Sequence, residues 1–150
     1  MNEPRFIEIE DLKPDYLEAI NRLISQLSTS LHTLTEAELN SLIASPQSHL
    51  YALEYDEKII GMVTLCIYQC PTGWKAWIED VVVDQNYRGK GYGKVMIEKV
   101  IELCRNKGNV TLMLTSRPSR VAANQLYQSL GFETRETNVY NMSFRITVGK

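Results

Sequence analysis

With 150 residues, the chain has the usual length of one domain with a single hydrophobic core, so we expect one domain over residues 1–150. Apolar residues make up 44% and charged residues 23%, an ordinary composition for a soluble globular protein. The formal net charge of −2 gives no overall attraction to nucleic acid or to an anionic membrane, so neither is expected as a partner.

The cysteines and the first residues indicate a reduced, cytoplasmic setting. The chain has three cysteines, Cys66, Cys70 and Cys104. Their odd number and their lack of paired spacing argue against a disulfide framework and against a zinc site. No metal is therefore expected. Residues 1–20 are acidic and contain no apolar run, so no signal peptide is expected. No stretch approaches the roughly 18 apolar residues of a membrane span.

The first half of the chain predicts two helices followed by an antiparallel meander. Residues 5–9 favour a short edge strand. Apolar residues at helical spacing predict a helix over Tyr16–Leu27 that ends at residues 28–30. Thr35 and Glu38 have the spacing of a capping box, which predicts the start of a second helix. The three strands of the meander are residues 49–55, 59–68 and 77–83.

The stretch after the third meander strand predicts a binding site for an anion. That strand ends in the β-branched run Val81, Val82 and Val83, which suits a strand covered on both faces. Residues 88–94 then combine three glycines with three cations directly before a helix. Glycines let backbone N–H groups approach a ligand, and a first helical turn adds unpaired N–H groups and partial positive charge. The segment, called the cradle below, consists of Arg88, Gly89, Lys90, Gly91, Tyr92, Gly93 and Lys94.

The cradle predicts a site for phosphate or pyrophosphate, with an ordinary glycine-rich turn as the alternative. Two nucleotide-binding motifs are excluded. The glycines at 89, 91 and 93 have the wrong spacing for the dinucleotide fingerprint, whose third glycine comes one residue later. Gly93-Lys94 is followed by Val95 rather than by Ser or Thr, which excludes a Walker A loop.

The second half predicts a strand–helix–strand unit and then closing elements. A helix from Gly91 to Lys107, with Leu103 on its apolar face, leads to a short buried strand over 110–115, so this strand and the last meander strand are expected to be parallel. Another helix, with Val121 on its apolar face, ends at Gly131. Two closing strands are expected at 132–136 and 139–144, and residues 148–150 are expected to fray.

The predicted fold class is α+β: a twisted, mostly antiparallel sheet with one parallel, splayed strand pair and helices on both faces. Parallel strands whose ends splay leave a crevice at their carboxyl ends. Residues 81–84 end one of these strands and residues 113–116 end the other, so the cradle is expected at this crevice.

Two motifs resemble those of the GNAT superfamily of N-acetyltransferases. The first motif follows a strand in which two acidic residues precede three valines, and it is similar to that family's acetyl-CoA loop. The second motif is similar to the family's second hallmark sequence. The motifs are Arg88-x-x-Gly91-x-Gly93 and Asn124-x-x-Tyr127-x-x-x-Gly131-Phe132. The resemblance covers residues 50–146. It implies a GNAT-like fold, acetyl-CoA as co-substrate, and acetyl transfer to a primary amine by direct attack in a ternary complex.

The resemblance also implies how the co-substrate is bound. The backbones of Val81, Val82 and Val83 hold the acyl and pantetheine groups, and the cradle holds the pyrophosphate. Asn124 is expected to hydrogen-bond the pantetheine arm, or else to face solvent. His32, between the first two helices, is expected to contact the acceptor, with a surface imidazole as the alternative.

Amine acetylation needs a base for the amine, a donor for the oxyanion and an acid for the departing sulfur. The resemblance makes Tyr127 the acid, with core packing of its ring as the alternative. Glu79 and Asp80 are the base candidates, because burial in a strand raises the pKa of a carboxyl. Glu79 is preferred, since consecutive strand residues point to opposite faces. A structural carboxylate and a chain of bound water are the alternatives, and a backbone N–H near Val82 is the expected oxyanion donor.

The expected acceptor is the amine of a small molecule. A protein or peptide N-acetyltransferase, and a non-catalytic acyl-CoA-binding regulatory module, are the alternatives. The predicted closing strands offer a surface that can pair or pack across a two-fold axis, so a homodimer is a further expectation.

Overall fold

The computed structural model describes residues 2–27 and 32–145. The chain forms two compact units, residues 1–117 (the first unit) and residues 118–150 (the second unit). The predicted end of the first helix at residues 28–30 and the predicted fraying of residues 148–150 lie outside the described residues.

The first unit contains one five-stranded sheet, in the order β1-β2-β3-β4-β5. Strands β1 to β4 pair antiparallel as the predicted meander, and β5 pairs parallel to β4, so the expected α+β class with one parallel pair is confirmed. The elements of this unit are β1 (Arg5–Glu8), α1 (Tyr16–Leu27), α2 (Glu36–Ala44), β2 (Ser48–Tyr55), β3 (Lys58–Cys70), β4 (Gly73–Val83), α3 (Tyr92–Lys107) and β5 (Val110–Met113).

Helix ends follow the local sequence signals. The predicted capping box of α2 is confirmed: the Glu38 amide donates to Thr35 Oγ1 over 3.1 Å, and the Thr35 amide donates to a Glu38 carboxylate oxygen over 3.4 Å. The left-handed φ of 105° at Gly108 marks the end of α3, a conformation that favours glycine. These ends therefore agree with the predicted ones to within a residue.

Helices cover both faces of the sheet. On one face, α1 and α2 bury Ile20, Leu23 and Leu39 against the sheet core. On the other face, α3 approaches closely at Gly61, where an added Cβ would lie 3.2 Å from Met96 Sδ. The expectation for Leu103 is wrong, since it is exposed and Ile97 is buried instead. The two residues lie on different sides of α3, so the apolar stripe turns further around the helix than the spacing indicated.

The parallel pair is short, which opens the sheet. The four residues of β5 pair with Trp74–Trp77 at the start of β4, so the second half of β4 extends beyond β5. The ladder between β3 and β4 also shifts register between Met62 and Thr64, at a β-bulge opposite Asp80. The pairing of β4 with β5 thus ends at Trp77 and Met113, six residues before β4 itself ends. Val81, Val82 and Val83 were predicted to be buried on both faces, but only Val82 is buried. Val81 and Val83 are half-buried because they lie beyond the part of β4 that pairs with β5.

The second unit contains α4 (Val121–Ser129) and a tail, residues 133–145. Gly131 has the expected left-handed φ, 103°, and ends the helix. Val121 is exposed, so its expected inward position is wrong, and Tyr127 is the buried residue of this helix. The two predicted closing strands are also wrong: residues 132–144 have strand-like composition but no strand partner within the described ranges, and a strand needs one. In the described part of the chain, no helix combines the length and apolar character needed to cross a membrane.

Candidate active site

The cradle follows β4 directly and leads into α3. Gly89 and Gly91 have left-handed φ angles of 80° and 82°, which favour glycine, and an added Cβ at either would meet nothing within 4 Å. Gly91 is the N-cap of α3 and offers no side chain to its first N–H groups. Gly93 has ordinary helical backbone, and a Cβ there would lie 3.9 Å from Val83 Cγ2. The cradle therefore presents open backbone at a helix start, which fits a phosphate group.

Three cations surround that helix start. Arg88 Nε donates to the carbonyl oxygen of Val83 over 2.9 Å, which fixes the side chain beside the end of β4. Lys90 Nζ lies 5.7 Å from the centre of the Tyr87 ring, and Lys94 Nζ lies 3.8 Å from a carboxylate oxygen of Glu98. All three cations are exposed, so they add positive potential without closing the open backbone.

An aromatic group supports the cradle from the β2–β3 hairpin. Tyr55, the last residue of β2, packs against Tyr87 and Tyr92 with ring centres 6.2 Å and 6.3 Å away. These contacts hold Tyr87, just before the cradle, and Tyr92, within the cradle, against the end of β2. Tyr92, a predicted binding residue, thus has a packed ring, and its backbone N–H is the group near the helix start.

A buried ion pair fixes the start of the cradle segment, and the sequence analysis missed it. Asp84 is 4% exposed, and its carboxylate accepts from Arg22 Nε over 3.2 Å and from the Asn86 amide over 3.0 Å. Arg22 also donates to the Ile59 carbonyl, and Gln26 accepts from the Gln85 amide over 2.8 Å. Helix α1 is therefore bonded to the segment between β4 and the cradle. Arg22 lies outside the apolar stripe of α1, so no local signal in the sequence indicated this pair.

The opening between β4 and β5 lies at the predicted crevice. Val81, Val82 and Val83 belong to the part of β4 beyond β5. Ser116, three residues after β5, has a buried hydroxyl oxygen with no hydrogen-bond partner among the residues that the structure describes. Buried polar groups are normally satisfied, so this hydroxyl is a further candidate for contact with a bound group. No motif pointed to Ser116.

The two base candidates lie at the bulge in β4. Both Glu79 and Asp80 are exposed, so their expected burial is wrong. Asp80 has a left-handed φ of 51°, which breaks the regular alternation on which the choice between the two was based. Partial loss of hydration, followed by repulsion from Asp80, raises the pKa of Glu79 above its ordinary value. Of the pair, Glu79 is the one shifted in the direction that suits a base at neutral pH.

Tyr127 and Asn124 belong to α4 in the second unit. The Tyr127 ring is buried and packs edge-to-face on Phe132, with ring centres 6.0 Å apart. Burial raises the pKa of Tyr127, and nearby Arg120 acts in the opposite direction to a smaller extent. The hydroxyl therefore stays protonated at neutral pH, as an acid must. Asn124 is half-buried, and its amide N–H continues the α4 ladder to the Arg120 carbonyl.

His32 lies before α2 and is exposed. Its Nε2 is 3.3 Å from a carboxylate oxygen of Glu38, the residue that also completes the α2 capping box. This contact fixes the imidazole at the start of α2. Among the described residues, no three His, Cys, Asp or Glu side chains are grouped so that they could hold a metal ion.

Comparison with known proteins places this arrangement in a family. A family model described as "Acetyltransferase (GNAT) family" matches residues 10–132. A Glycine max protein named "Histone acetyltransferase TAP1" is 32% identical over 124 residues, which are 81% of this chain and 49% of that protein. The Trypanosoma brucei brucei "Glucosamine 6-phosphate N-acetyltransferase" is 39% identical over 82 residues, which are 53% of this chain and 54% of that protein. The chain spans about half the length of the curated relatives it matches.

Solved structures show the same fold. The "Putative acetyltransferase from Agrobacterium tumefaciens str. C58" superposes with a TM-score of 0.80 at 24% identity, covering 93% of this chain and 99% of that one. At this identity the likeness concerns the fold alone. The expected GNAT-like fold is confirmed.

Proposed function

Because the chain belongs to the acetyltransferase (GNAT) family, we propose that it transfers an acetyl group from acetyl-CoA to the primary amine of a small molecule, by direct attack in a ternary complex. The family is the one that the sequence resembles, and the proposed activity is that of an acetyl-CoA-dependent N-acetyltransferase, as expected from the sequence. The observation that carries the proposal is the open, positively charged cradle at the start of α3, next to the part of β4 that extends beyond β5.

The residues of the first unit fit the binding of acetyl-CoA, which supplies the acetyl group as an activated thioester. The N–H groups at the start of α3, with Arg88, Lys90 and Lys94, would hold the pyrophosphate. The backbone of Val81–Val83 would pair with the pantetheine arm as an added strand does. The hydroxyl of Ser116 would find a hydrogen-bond partner there. Asn124, from the second unit, is proposed to bond the same arm.

The proposed mechanism contains two proton transfers, one from the acceptor amine and one to the departing sulfur. Glu79, with Asp80 beside it, takes the proton from the acceptor amine, since its raised pKa makes it a stronger base than an ordinary carboxylate. A backbone N–H near Val82 donates to the carbonyl oxygen as negative charge develops on it. Tyr127 gives its proton to the departing sulfur, which balances the proton that Glu79 gains. His32, held by Glu38, contacts the acceptor.

A small amine is the favoured acceptor because a 39% identical relative is named as an acetyltransferase of glucosamine 6-phosphate. A protein amine is the second candidate, favoured by the longer match to a protein named as a histone acetyltransferase. The proposal also takes residues 1–150 as a single N-acetyltransferase domain that works in the cytoplasm without a metal, nucleic-acid or membrane partner.

Two measurements test this proposal in order. Calorimetric titration of the chain with acetyl-CoA and with CoA is expected to give micromolar binding. Release of CoA thiol is then followed with glucosamine 6-phosphate, an aminoglycoside, a polyamine, an amino acid and a lysine-containing peptide. Turnover with the peptide alone would move the assignment to a protein acetyltransferase. Binding without turnover on any amine would favour the regulatory module, and the absence of binding to folded protein would overturn the proposal.

A further inference from the structure

Helices α1 and α2 cover only part of the sheet face on which they lie. Met62 and Val82 pair across β3 and β4 under these helices and are 3% and 5% exposed. The next pair on this face is Thr64 with Glu79, of which Thr64 is half-buried and Glu79 is exposed. The cover that α1 and α2 provide therefore ends between these two pairs, beside the preferred base candidate.

A row of side chains continues along this face from Glu79 toward the start of β4. Alternate residues of one strand share a face, and so do residues paired across two antiparallel strands. The row, called the β3–β4 row below, consists of Thr64, Cys66 and Tyr68 on β3, which pair in that order with Glu79, Trp77 and Lys75 on β4. All six residues are half-buried or exposed. The row therefore has a carboxylate at one end, an indole ring in the middle and a cation at the other end.

Trp77, in the middle of the row, is held in position by its neighbour. Its Nε1 donates to the Tyr68 hydroxyl over 3.0 Å, so the polar edge of the indole ring is satisfied within the row. The apolar faces of the ring are then the part of the side chain that can contact a ligand. Such a face packs favourably against a flat or apolar group.

Lys75 supplies the positive charge of the row. The hydrogen bond to Thr72 and, to a smaller extent, the charge of Lys75 lower the pKa of the Cys70 thiol, so the ammonium lies near the end of β3. A strand rises by about 3.3 Å per residue, so the backbones of Lys75 and Glu79 are about 13 Å apart along β4. Their side chains are too short to meet over that distance, and each can therefore bind a charged group of a ligand.

We infer that the β3–β4 row binds the acceptor, and that the acceptor is a primary amine joined through a flat or apolar middle to an anionic group. The amine lies at Glu79, the middle of the molecule lies on Trp77, and the carboxylate or phosphate lies at Lys75. This inference rests on the proposed acetyl transfer, because the proposed base identifies the end of the row at which the amine reacts. A polyamine or an aminoglycoside would bring a second positive charge to Lys75, and like charges repel.

The first test uses three amines that share the same reacting group and the same ring. Opposite the amine, para-(aminomethyl)benzoate carries a carboxylate, benzylamine carries hydrogen, and para-(aminomethyl)benzylamine carries a second ammonium. Release of CoA thiol at saturating acetyl-CoA gives kcat/KM per amino group. We expect the carboxylate to be preferred and the dication to be worst, with steps of roughly fivefold, the upper end for an exposed ion pair. Equal values, or a preference for the dication, would overturn the inference.

The second test reverses the charge at the end of the row. Lys75→Glu should make the dication the preferred amine and the carboxylate the worst, while kcat stays unchanged because Lys75 does not reach the reacting atoms. Lys107→Glu makes the same charge change on α3, where the ammonium lies 4.3 Å from the centre of the Trp74 ring, and should keep the wild-type order. Circular dichroism checks that each variant is folded. Lys75→Gln, which adds no charge, should abolish the difference between para-(aminomethyl)benzoate and benzylamine, and an unchanged preference there would also contradict the inference.

The third test removes the ring. Trp77→Leu should raise KM for all three amines by about tenfold with little change in kcat, whereas Trp77→Phe, which keeps an aromatic face, should have a smaller effect. Calorimetric titration of wild type and each variant with acetyl-CoA separates this inference from the function on which it rests. A wild type that binds acetyl-CoA and acetylates other amines, but not these three, would overturn the inference alone. A wild type that acetylates no amine would overturn both.

Discussion

Two acidic sites on the same stretch of chain, Asp84 and the pair Glu79–Asp80, are built in opposite ways. Asp84 is buried, and its carboxylate is bonded to Arg22 and to the Asn86 amide. Glu79 and Asp80, a few residues earlier in the bulge, are exposed, and Glu79 has its pKa raised by partial desolvation and by its neighbour. Under the proposed function the difference would separate two tasks: buried Asp84 would support the segment that leads to the cradle, and exposed Glu79 would act as the base.

The largest effect is expected from a charge placed inside the cradle. Gly93→Glu adds a carboxylate where the pyrophosphate is proposed to bind, and like charges in contact cost several kcal/mol, so the Kd for acetyl-CoA should rise by about 10³-fold or more. Gly93 suits this test better than Gly91, because its backbone does not have a positive φ. Gly93→Ala is the matched control, since an added Cβ has only ordinary contact with Val83. Tight binding by folded Gly93→Glu would locate the pyrophosphate elsewhere.

Removing the proposed acid is expected to have the next largest effect. Tyr127→Phe keeps the ring on Phe132 but removes the proton donor, so kcat should fall by about 100-fold, the lower end of acid–base contributions. The Kd for acetyl-CoA should be unchanged. In wild type, the alkaline limb of the rate profile should lie above pH 10.0, because burial raises the pKa of Tyr127 from that value. An unchanged kcat would leave Tyr127 with a packing role only.

Breaking the buried ion pair should weaken binding at a distance. Arg22→Leu leaves the Asp84 carboxylate buried without its cation, which should cost about 2 kcal/mol of stability, less than for a fully buried pair because Arg22 is partly exposed. The Kd for acetyl-CoA should rise by roughly tenfold, since 1.4 kcal/mol of lost preorganisation corresponds to that factor. Arg5→Leu, which breaks the surface pair with Glu54, is the control and should cost under about 1 kcal/mol. Chemical denaturation and calorimetry measure both quantities, and equal effects of the two variants would contradict the proposed support.

The smallest effect is expected at the exposed acid pair. Glu79→Gln should lower kcat by about fivefold, below the usual range of acid–base catalysis because water reaches an exposed base site. In wild type the acidic limb of kcat/KM should lie above 4.5, the ordinary pKa of a glutamate, and Asp80→Asn should move it to lower pH by removing the repulsion. A limb that does not move in Asp80→Asn would exclude Glu79 as the titrating base.

The raised pKa of Glu79 also predicts how the stability of the fold depends on pH. The pKa of Glu79 is higher in the folded chain than in the unfolded one, so ionisation disfavours folding and stability is lost as pH rises through the folded pKa. Glu79→Gln should therefore be slightly more stable than wild type at neutral pH and equal to it in acid. Denaturation midpoints at two pH values measure this difference.

Local signals made the fold predictable where structure depends on neighbouring residues. The Thr35–Glu38 capping box and the glycine that ends α3 each specify a helix end through bonds made within a few residues. The cradle was predictable for the same reason. The Arg22–Asp84 pair was not, because it joins residues 62 apart, and neither residue type is unusual where it stands.

Strand composition alone did not determine pairing. Residues 139–144 have the alternation of a strand, yet a strand forms only against a partner, and the single chain does not supply one within the described residues. The bulge at Asp80 was hidden because register depends on two strands together, and the exposure of the acid pair followed from it. Both errors concern long-range pairing, which the sequence around each residue does not encode.

The hydrogen bonds from α1 to Asp84 and Gln85, which precede the cradle, also determine when the cradle can form as the chain folds. The contacts Arg22–Asp84 and Gln26–Gln85 span 62 and 59 residues, so they close only after the intervening hairpin of β2 and β3 has assembled. Contacts of such high sequence separation form late, since the entropy of closing a long loop must be met first. The cradle is thus completed near the end of folding. A chain still emerging from the ribosome, with α1 made and β4 not yet released, would therefore lack the proposed acetyl-CoA site.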